Sequence, residues 1–394
     1  MSFLRLWDTS LTAYSPSLNS SQEVRTPPEP IYVTKTYLPE LADYQELLAG
    51  IWERNYVTNN GPLLQQLENS LRARLAVPHF SYVSNGTTAL QLMLRALRVS
   101  GSVITTPYSY VATTNAILWE GLRPVFADID PNTLCIDPAA VRAAIRPDTT
   151  AILATHVYGY PCDHTALQAI ANKYGLLLLY DAAHAFDVQL DGVEIGSFGD
   201  AAAYSFHATK YFHTIEGGGV VMHYPEAADR VDLFRAFGHR ERDYQKVGIN
   251  GKNSELHAGI GLLNLPLLPE IRRLRRALHE HYANLLEGSG IRWLSPHRYP
   301  GLDYNYAYFP VLFADEAQRE RCVQALESEA IFPRRYFEPS LNTLPFLEEI
   351  QACPVSESVA RRVLCLPFYH QLSHQDAERI VAILHKTLPV CASR

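Results

Sequence analysis

The chain has 394 residues, 47% of them apolar and 19% charged, enough to bury a full α/β core and to form two domains, with a formal net charge of −7. That charge argues against a nucleic-acid partner, which needs a basic face, and no apolar run is long enough to span a membrane or to serve as a secretion signal. The six cysteines form no CxxC pair and have no zinc-ligand spacing with histidine, so they are expected to be reduced thiols of a cytoplasmic protein without a metal.

Residues 1–30 are rich in Ser, Thr and Pro and end in Thr26-Pro27-Pro28-Glu29-Pro30, which reads as a polar tail ahead of the fold. From about residue 80 to 224, short apolar runs alternate with helical patterns. Strands are expected at Val103–Thr106, Val125–Asp128, Ala151–Ala154, Leu176–Tyr180, Ala201–Phe206 and Gly219–His223. Their near-continuous apolar character suits strands buried on both faces. Leu90, Met93, Leu94 and Leu97 mark one face of an intervening helix. The alternation implies an α/β fold with a mostly parallel sheet covered by helices, whose ligands bind beyond the carboxyl ends of the strands.

A second unit is expected to begin near Pro266, giving a large domain over 31–265 and a smaller C-terminal α/β domain over 266–394. Ile271, Leu274, Leu278, Tyr282 and Leu285 trace a long helix from Pro269 to about Gly288, and strands are expected at Tyr306–Phe313 and Ile331–Tyr336.

The chemistry is concentrated in a few segments. The apolar run Leu176–Leu179 leads to Asp181, and Ala201–Tyr204 leads through Ser205-Phe206-His207-Ala208-Thr209 to Lys210, ahead of Glu216-Gly217-Gly218-Gly219. An acid at a strand end and a lysine in a later loop suit pyridoxal 5'-phosphate (PLP) chemistry. The amine condenses with the cofactor aldehyde and the carboxylate keeps the pyridine nitrogen protonated. Taken alone, Lys210 reads as a surface lysine, Asp181 as a helix cap and Thr87 as an N-cap.

Three further segments, Ser84-Asn85-Gly86-Thr87-Thr88-Ala89-Leu90, Pro107-Tyr108-Ser109-Tyr110 and Asp181-Ala182-Ala183-His184-Ala185, occur in order with the lysine string. Together they resemble the nucleotide-sugar aminotransferases of the DegT/StrS family, PLP enzymes with the aspartate-aminotransferase (type I) fold. The resemblance runs from about Ile31 to near the C-terminus.

It implies that Gly86, Thr87 and Ser205 hold the cofactor phosphate, and that Tyr110 stacks on the ring. Asp181 would meet the ring nitrogen, and His184 the cofactor's phenolate or nearby atoms. Lys210 would bond the cofactor and, once displaced, shuttle the proton. Asn250 would reach the phosphate of a neighbouring subunit's cofactor, which implies a homodimer with shared active sites. Relatives usually carry methionine where this chain has Asn253, a departure in the local packing. The turn Asn60-Gly61-Pro62 would border the sugar site, although its composition alone supports a plain turn.

Retention of Lys210 favours amine transfer over dehydration, with L-glutamate as the donor. The string His-Ala-Thr-Lys followed by Ile215-Glu216-Gly217-Gly218 looks like the branch that aminates carbon 4 of a nucleotide-linked 4-keto-6-deoxyhexose. With Thr58–Pro62 and His156-Val157-Tyr158-Gly159, it resembles members that make dTDP-4-amino-4,6-dideoxyglucose. Three alternatives stay open: amination at carbon 3, a non-catalytic regulator on the same fold, and an amino-acid aminotransferase using Arg334-Arg335 or Arg361-Arg362 as a carboxylate fork.

Overall fold

A computed structural model describes residues 29–388. The expected tail over 1–30 therefore lies, except for its last two residues, outside the described residues, as does Cys391.

The centre is a seven-stranded sheet. Its strands are β1 (His79–Val83), β2 (Ser102–Thr105), β3 (Arg123–Phe126), β4 (Thr149–Thr155), β5 (Leu177–Asp181), β6 (Ala201–Ser205) and β7 (Gly218–Met222). The spatial order is β1-β7-β6-β5-β4-β2-β3. Only β7 runs against its neighbours. The remaining strands are parallel, so their carboxyl ends share one edge.

All four residues of β2 are buried, as are four of the five in β5, and apolar clusters lie on both faces of the sheet. This is the burial that the continuous apolar runs foretold. The six expected strands recur with shifts of one or two residues at their ends. The exception to the sequence reading is β1, whose His79 and Ser81 break the apolar run. It is an edge strand.

The helix Gly86–Ala96 buries Leu90, Met93 and Leu94, with Leu97 at its C-cap. Beyond a short turn at Leu265–Leu267, the helix Leu268–Leu286 ends two residues before Gly288, which adopts φ +72°. Its buried face holds Ile271, Leu278 and Tyr282, as the periodicity indicates, and Leu286 in place of the expected Leu285, which is half-buried. Arg275 is buried on that face as well, and Leu274 is only half-buried.

The C-terminal strands are shorter than expected. Of Tyr306–Phe313, only Pro310–Leu312 joins a ladder, between Arg292–Trp293 and Val363–Cys365. Tyr306 takes φ +53°, which no strand residue adopts, and Asn305 ties the segment to the carbonyls of His184 and Phe186 at 2.9 Å. Of Ile331–Tyr336, Ile331–Phe332 pairs in parallel with Ile31–Tyr32, and Arg334 makes a single antiparallel bridge to Cys365. Pro333 has no N–H to extend that ladder.

Candidate active site

Four chain segments meet at the carboxyl edge of the sheet. The first is the start of the helix Gly86–Ala96. Asn85 is its N-cap, in extended backbone, and its side chain accepts the Thr88 N–H at 2.8 Å. The cap is thus Asn85 rather than Thr87. The N–H groups of Gly86 and Thr87 have no acceptor within the helix, and Thr87 is exposed.

A Cβ on Gly86 would lie 2.8 Å from Cβ of Ser205, and one on Gly218 only 2.4 Å from the Asn85 carbonyl. Glycine at both places lets β6 and β7 close on the helix start, which brings the half-buried Ser205 beside the free N–H groups. The result is a cradle of N–H and hydroxyl donors suited to a phosphate dianion. Gly86→Ala is expected to weaken cofactor binding about ten-fold by pushing Ser205 away. Titration of the unloaded protein with PLP, followed by absorbance, checks this; unchanged affinity contradicts it.

The second segment is the end of β5. Asp181 is buried between Thr155 on β4 and Ala203 on β6. Its carboxylate accepts the Thr113 hydroxyl at 2.6 Å and the Ala183 N–H at 3.1 Å. Thr113 in turn is hydrogen-bonded to Ser109 at 2.8 Å. Burial pushes the Asp181 carboxyl above its ordinary pKa, while those two hydrogen bonds and the charge of Lys210 pull it back. A cation placed against it would complete the ionised form.

His184 follows on the next turn and is buried. The backbone N–H of Tyr158, whose φ is +56°, points at its Nδ1 at 3.2 Å. An acceptor at Nδ1 puts the proton on Nε2. Burial, with a smaller push from the Lys210 charge, holds the ring well below the usual histidine pKa, so it is neutral. The motif His156–Gly159 therefore serves to set the tautomer of His184.

The third segment carries Lys210, five residues past β6 and half-buried. Burial lowers the pKa of its amine, and Asp181 opposes that shift. The fourth is the C-terminal part of the chain, where Tyr308 accepts a hydrogen bond from Lys210 Nζ at 3.2 Å. Phe337 lies parallel to the His184 ring, with centroids 5.5 Å apart.

These segments line a cleft of about 750 Å³. Gly86, Thr87, Tyr110, Asp181, His184, Ser205 and Lys210 all face it. Tyr110 is 60% exposed there, leaving a face of its ring free to cover a ligand. Thr155, Tyr308, Arg334 and Tyr336 also line it; of these the sequence points only to Arg334, as half of a carboxylate fork. Of the four arginines weighed, only Arg334 reaches the cleft. Arg335 pairs with Glu320 at 2.8 Å, and Arg362 donates to the Ser358 and Phe313 carbonyls.

Four sequence-singled residues lie outside this cleft. Asn60, Gly61 and Pro62 form the approach to the helix Pro62–Arg74, where Glu255 accepts the N–H groups of Leu63 and Leu64 at 3.1 and 2.9 Å. A Cβ on Gly61 would lie 2.5 Å from that carboxylate, so the glycine admits it to the helix start. Asn250 is exposed and accepts from Lys252 at 3.0 Å. Asn253 is buried, and its amide donates to the Tyr82 hydroxyl at 3.0 Å and the Glu216 carbonyl at 2.9 Å. It ties the glycine run to β1.

An amine, a buried carboxylate and a set of free N–H donors thus meet at the carboxyl edge of this sheet. Residues 40–385 match the DegT/DnrJ/EryC1/StrS aminotransferase family, and the chain belongs to that family. A dTDP-4-amino-4,6-dideoxy-D-glucose transaminase of Shigella dysenteriae is 40% identical over 366 residues, covering 91% of this chain and 99% of that one. A protein of the same name from Escherichia coli is 38% identical over 369 residues, covering 90% and 98%. Among solved structures, DesI crystallised in the presence of its TDP-sugar product superposes with a TM-score of 0.86 at 34% identity, covering 91% of this chain and 92% of that one.

Proposed function

We propose that this protein uses PLP to move the amino group of L-glutamate to carbon 4 of a nucleotide-linked 4-keto-6-deoxyhexose, dTDP-4-keto-6-deoxy-D-glucose, giving dTDP-4-amino-4,6-dideoxyglucose. The observation that carries the reading is that Lys210, Asp181 and the free N-terminus at Gly86-Thr87 share one cleft. The choice of sugar and nucleotide rests on the names of the relatives at 40% and 38% identity.

The residues present fit the cofactor. Gly86 and Thr87 N–H groups with the Thr87 and Ser205 hydroxyls would hold its phosphate. Asp181 would hold the proton on its ring nitrogen, kept in place by Thr113. His184 would offer Nε2–H to the cofactor's phenolate, and Tyr110 would cover one face of the ring. When bound, PLP supplies an electron sink for the carbon that loses a proton. Lys210 provides the amine that takes and returns that proton, and its burial favours the neutral form this job requires. Arg334 stands at the cleft as the guanidinium for the donor's carboxylate.

The outward position of Asn250 fits a homodimer in which it serves the other subunit's cleft, and the turn Asn60-Gly61-Pro62 would border the sugar of that neighbour in the same way. Among the described residues no helix is long and apolar enough to cross a membrane. We place the enzyme in the cytoplasm, where the free cysteines found among the described residues stay reduced.

Incubation of the purified protein with PLP, L-glutamate and dTDP-4-keto-6-deoxy-D-glucose is expected to give one 2-oxoglutarate per aminosugar, with nitrogen on carbon 4 by NMR. Nitrogen on carbon 3, or no product, overturns the assignment.

A further inference from the structure

We infer that Tyr308 is a positioning residue, whose phenol oxygen holds the Lys210 amine inside the cleft whenever that amine is free of the cofactor. The inference rests on the proposed role of Lys210. A lysine side chain has four flexible carbons, so a freed amine samples many positions unless something fixes it. Among the described residues, Tyr308 Oη at 3.2 Å is the only hydrogen-bond partner of Lys210 Nζ, and Nζ is the only one of Tyr308 Oη. The bond joins residues 98 positions apart, one in the loop between β6 and β7 of the large sheet and the other preceding the C-terminal strand Pro310–Leu312.

The tyrosine itself is held on every side. Its ring stands edge-on to His184 at 4.8 Å and to Tyr336 at 6.0 Å, and tilts against Tyr158 at 5.8 Å. Its backbone is held by Arg275, which is 3% exposed and donates Nη1 to the carbonyls of Tyr306 at 3.3 Å and Ala307 at 3.0 Å. No carboxylate forms an ion pair with Arg275 among the described residues, so the guanidinium is committed to this backbone and to the face of Tyr211, 5.8 Å away.

Burial pushes the Tyr308 phenol above its ordinary pKa, although the charge of Arg275 opposes this, so it keeps its proton and acts as a neutral acceptor. When Lys210 takes a proton from the substrate carbon it becomes an ammonium and donates one N–H to Tyr308. The proton stays on Nζ and returns from there. The phenol is neither oxidised nor deprotonated.

The test is Tyr308→Phe, which removes the oxygen and keeps the ring packing. In the full-length unloaded chain, the pH dependence of Lys210 acylation is followed by peptide mass spectrometry. An acceptor of an ammonium N–H favours the charged form, so its loss is expected to speed labelling at pH 7 about ten-fold. The plateau rate at high pH, which reports access, is expected to stay unchanged. An unchanged or slower rate at pH 7 overturns the inference, and so does a rise in both rate and plateau.

In the PLP-loaded protein, kcat is expected to fall about ten-fold with the KM values of both substrates retained. A wild-type kcat overturns the inference. If the wild-type chain takes up no PLP, the proposed function fails, while the labelling experiment still decides the role of Tyr308.

Discussion

Replacing Lys210 with alanine will abolish amine transfer, with a loss of at least about 10⁴-fold in the rate of 2-oxoglutarate formation. The size follows from the two functions proposed for Lys210, covalent tether and proton carrier, being removed at once. Truncation leaves the fold intact, because the side chain is half-buried and makes a single hydrogen bond, to Tyr308. The cradle at Gly86, Thr87 and Ser205 is untouched, so the variant will still take up PLP, but reversibly. Dialysis is expected to strip it, and the near-visible band of the lysine-bound cofactor will be missing. A variant that keeps this band, or that keeps even a hundredth of the activity, removes Lys210 from the reaction.

Asp181→Asn is expected to cost about 10²–10³-fold in kcat, the scale on which a preorganised electrostatic group acts. The amide is close in shape to the carboxylate, and its one carbonyl oxygen can still accept from Thr113. What it lacks is the charge that holds a proton on the ring nitrogen. Burial already works against that charge, and Thr113 and the Ala183 N–H are what sustain it. The cost should therefore appear in kcat, with PLP affinity reduced far less, because the proposed phosphate cradle lies 95 positions earlier in the chain, at Gly86. Steady-state kinetics with a parallel PLP titration separates the two. Equal kcat for variant and wild type shows that Asp181 does not govern the ring.

The parts of this site that were legible in the sequence are local ones. Asp181 ends an unbroken apolar run, and Lys210 follows another, so strand periodicity alone puts both at the sheet's carboxyl edge. The helix after β1 was legible from Leu90, Met93 and Leu94, yet β1 was not, because an edge strand tolerates the His79 and Ser81 that interrupt its pattern.

The supporting contacts are long-range, and nothing near them in sequence announces them. Thr113 reaches Asp181 across 68 positions and Tyr308 reaches Lys210 across 98. Tyr308 also sits in a run that reads as strand, Tyr306–Phe313, and is held out of the ladder by the Asn305 bonds to the His184 and Phe186 carbonyls and by Arg275 on the Tyr306 and Ala307 carbonyls. The turn composition around Gly61 is visible in the sequence, but the Glu255 carboxylate that the glycine admits under the next helix comes from 194 residues further along the chain.

The cradle at Gly86-Thr87 senses charge and size and nothing of what the phosphate is attached to. If the cradle anchors the cofactor as proposed, sulfate or inorganic phosphate in a storage buffer is an occupant of the same kind and competes with the vitamin for the same donors. Preparations reconstituted in such salts will contain a mixture of loaded and empty protein, and specific activities from different laboratories will agree only when the buffer anion is controlled.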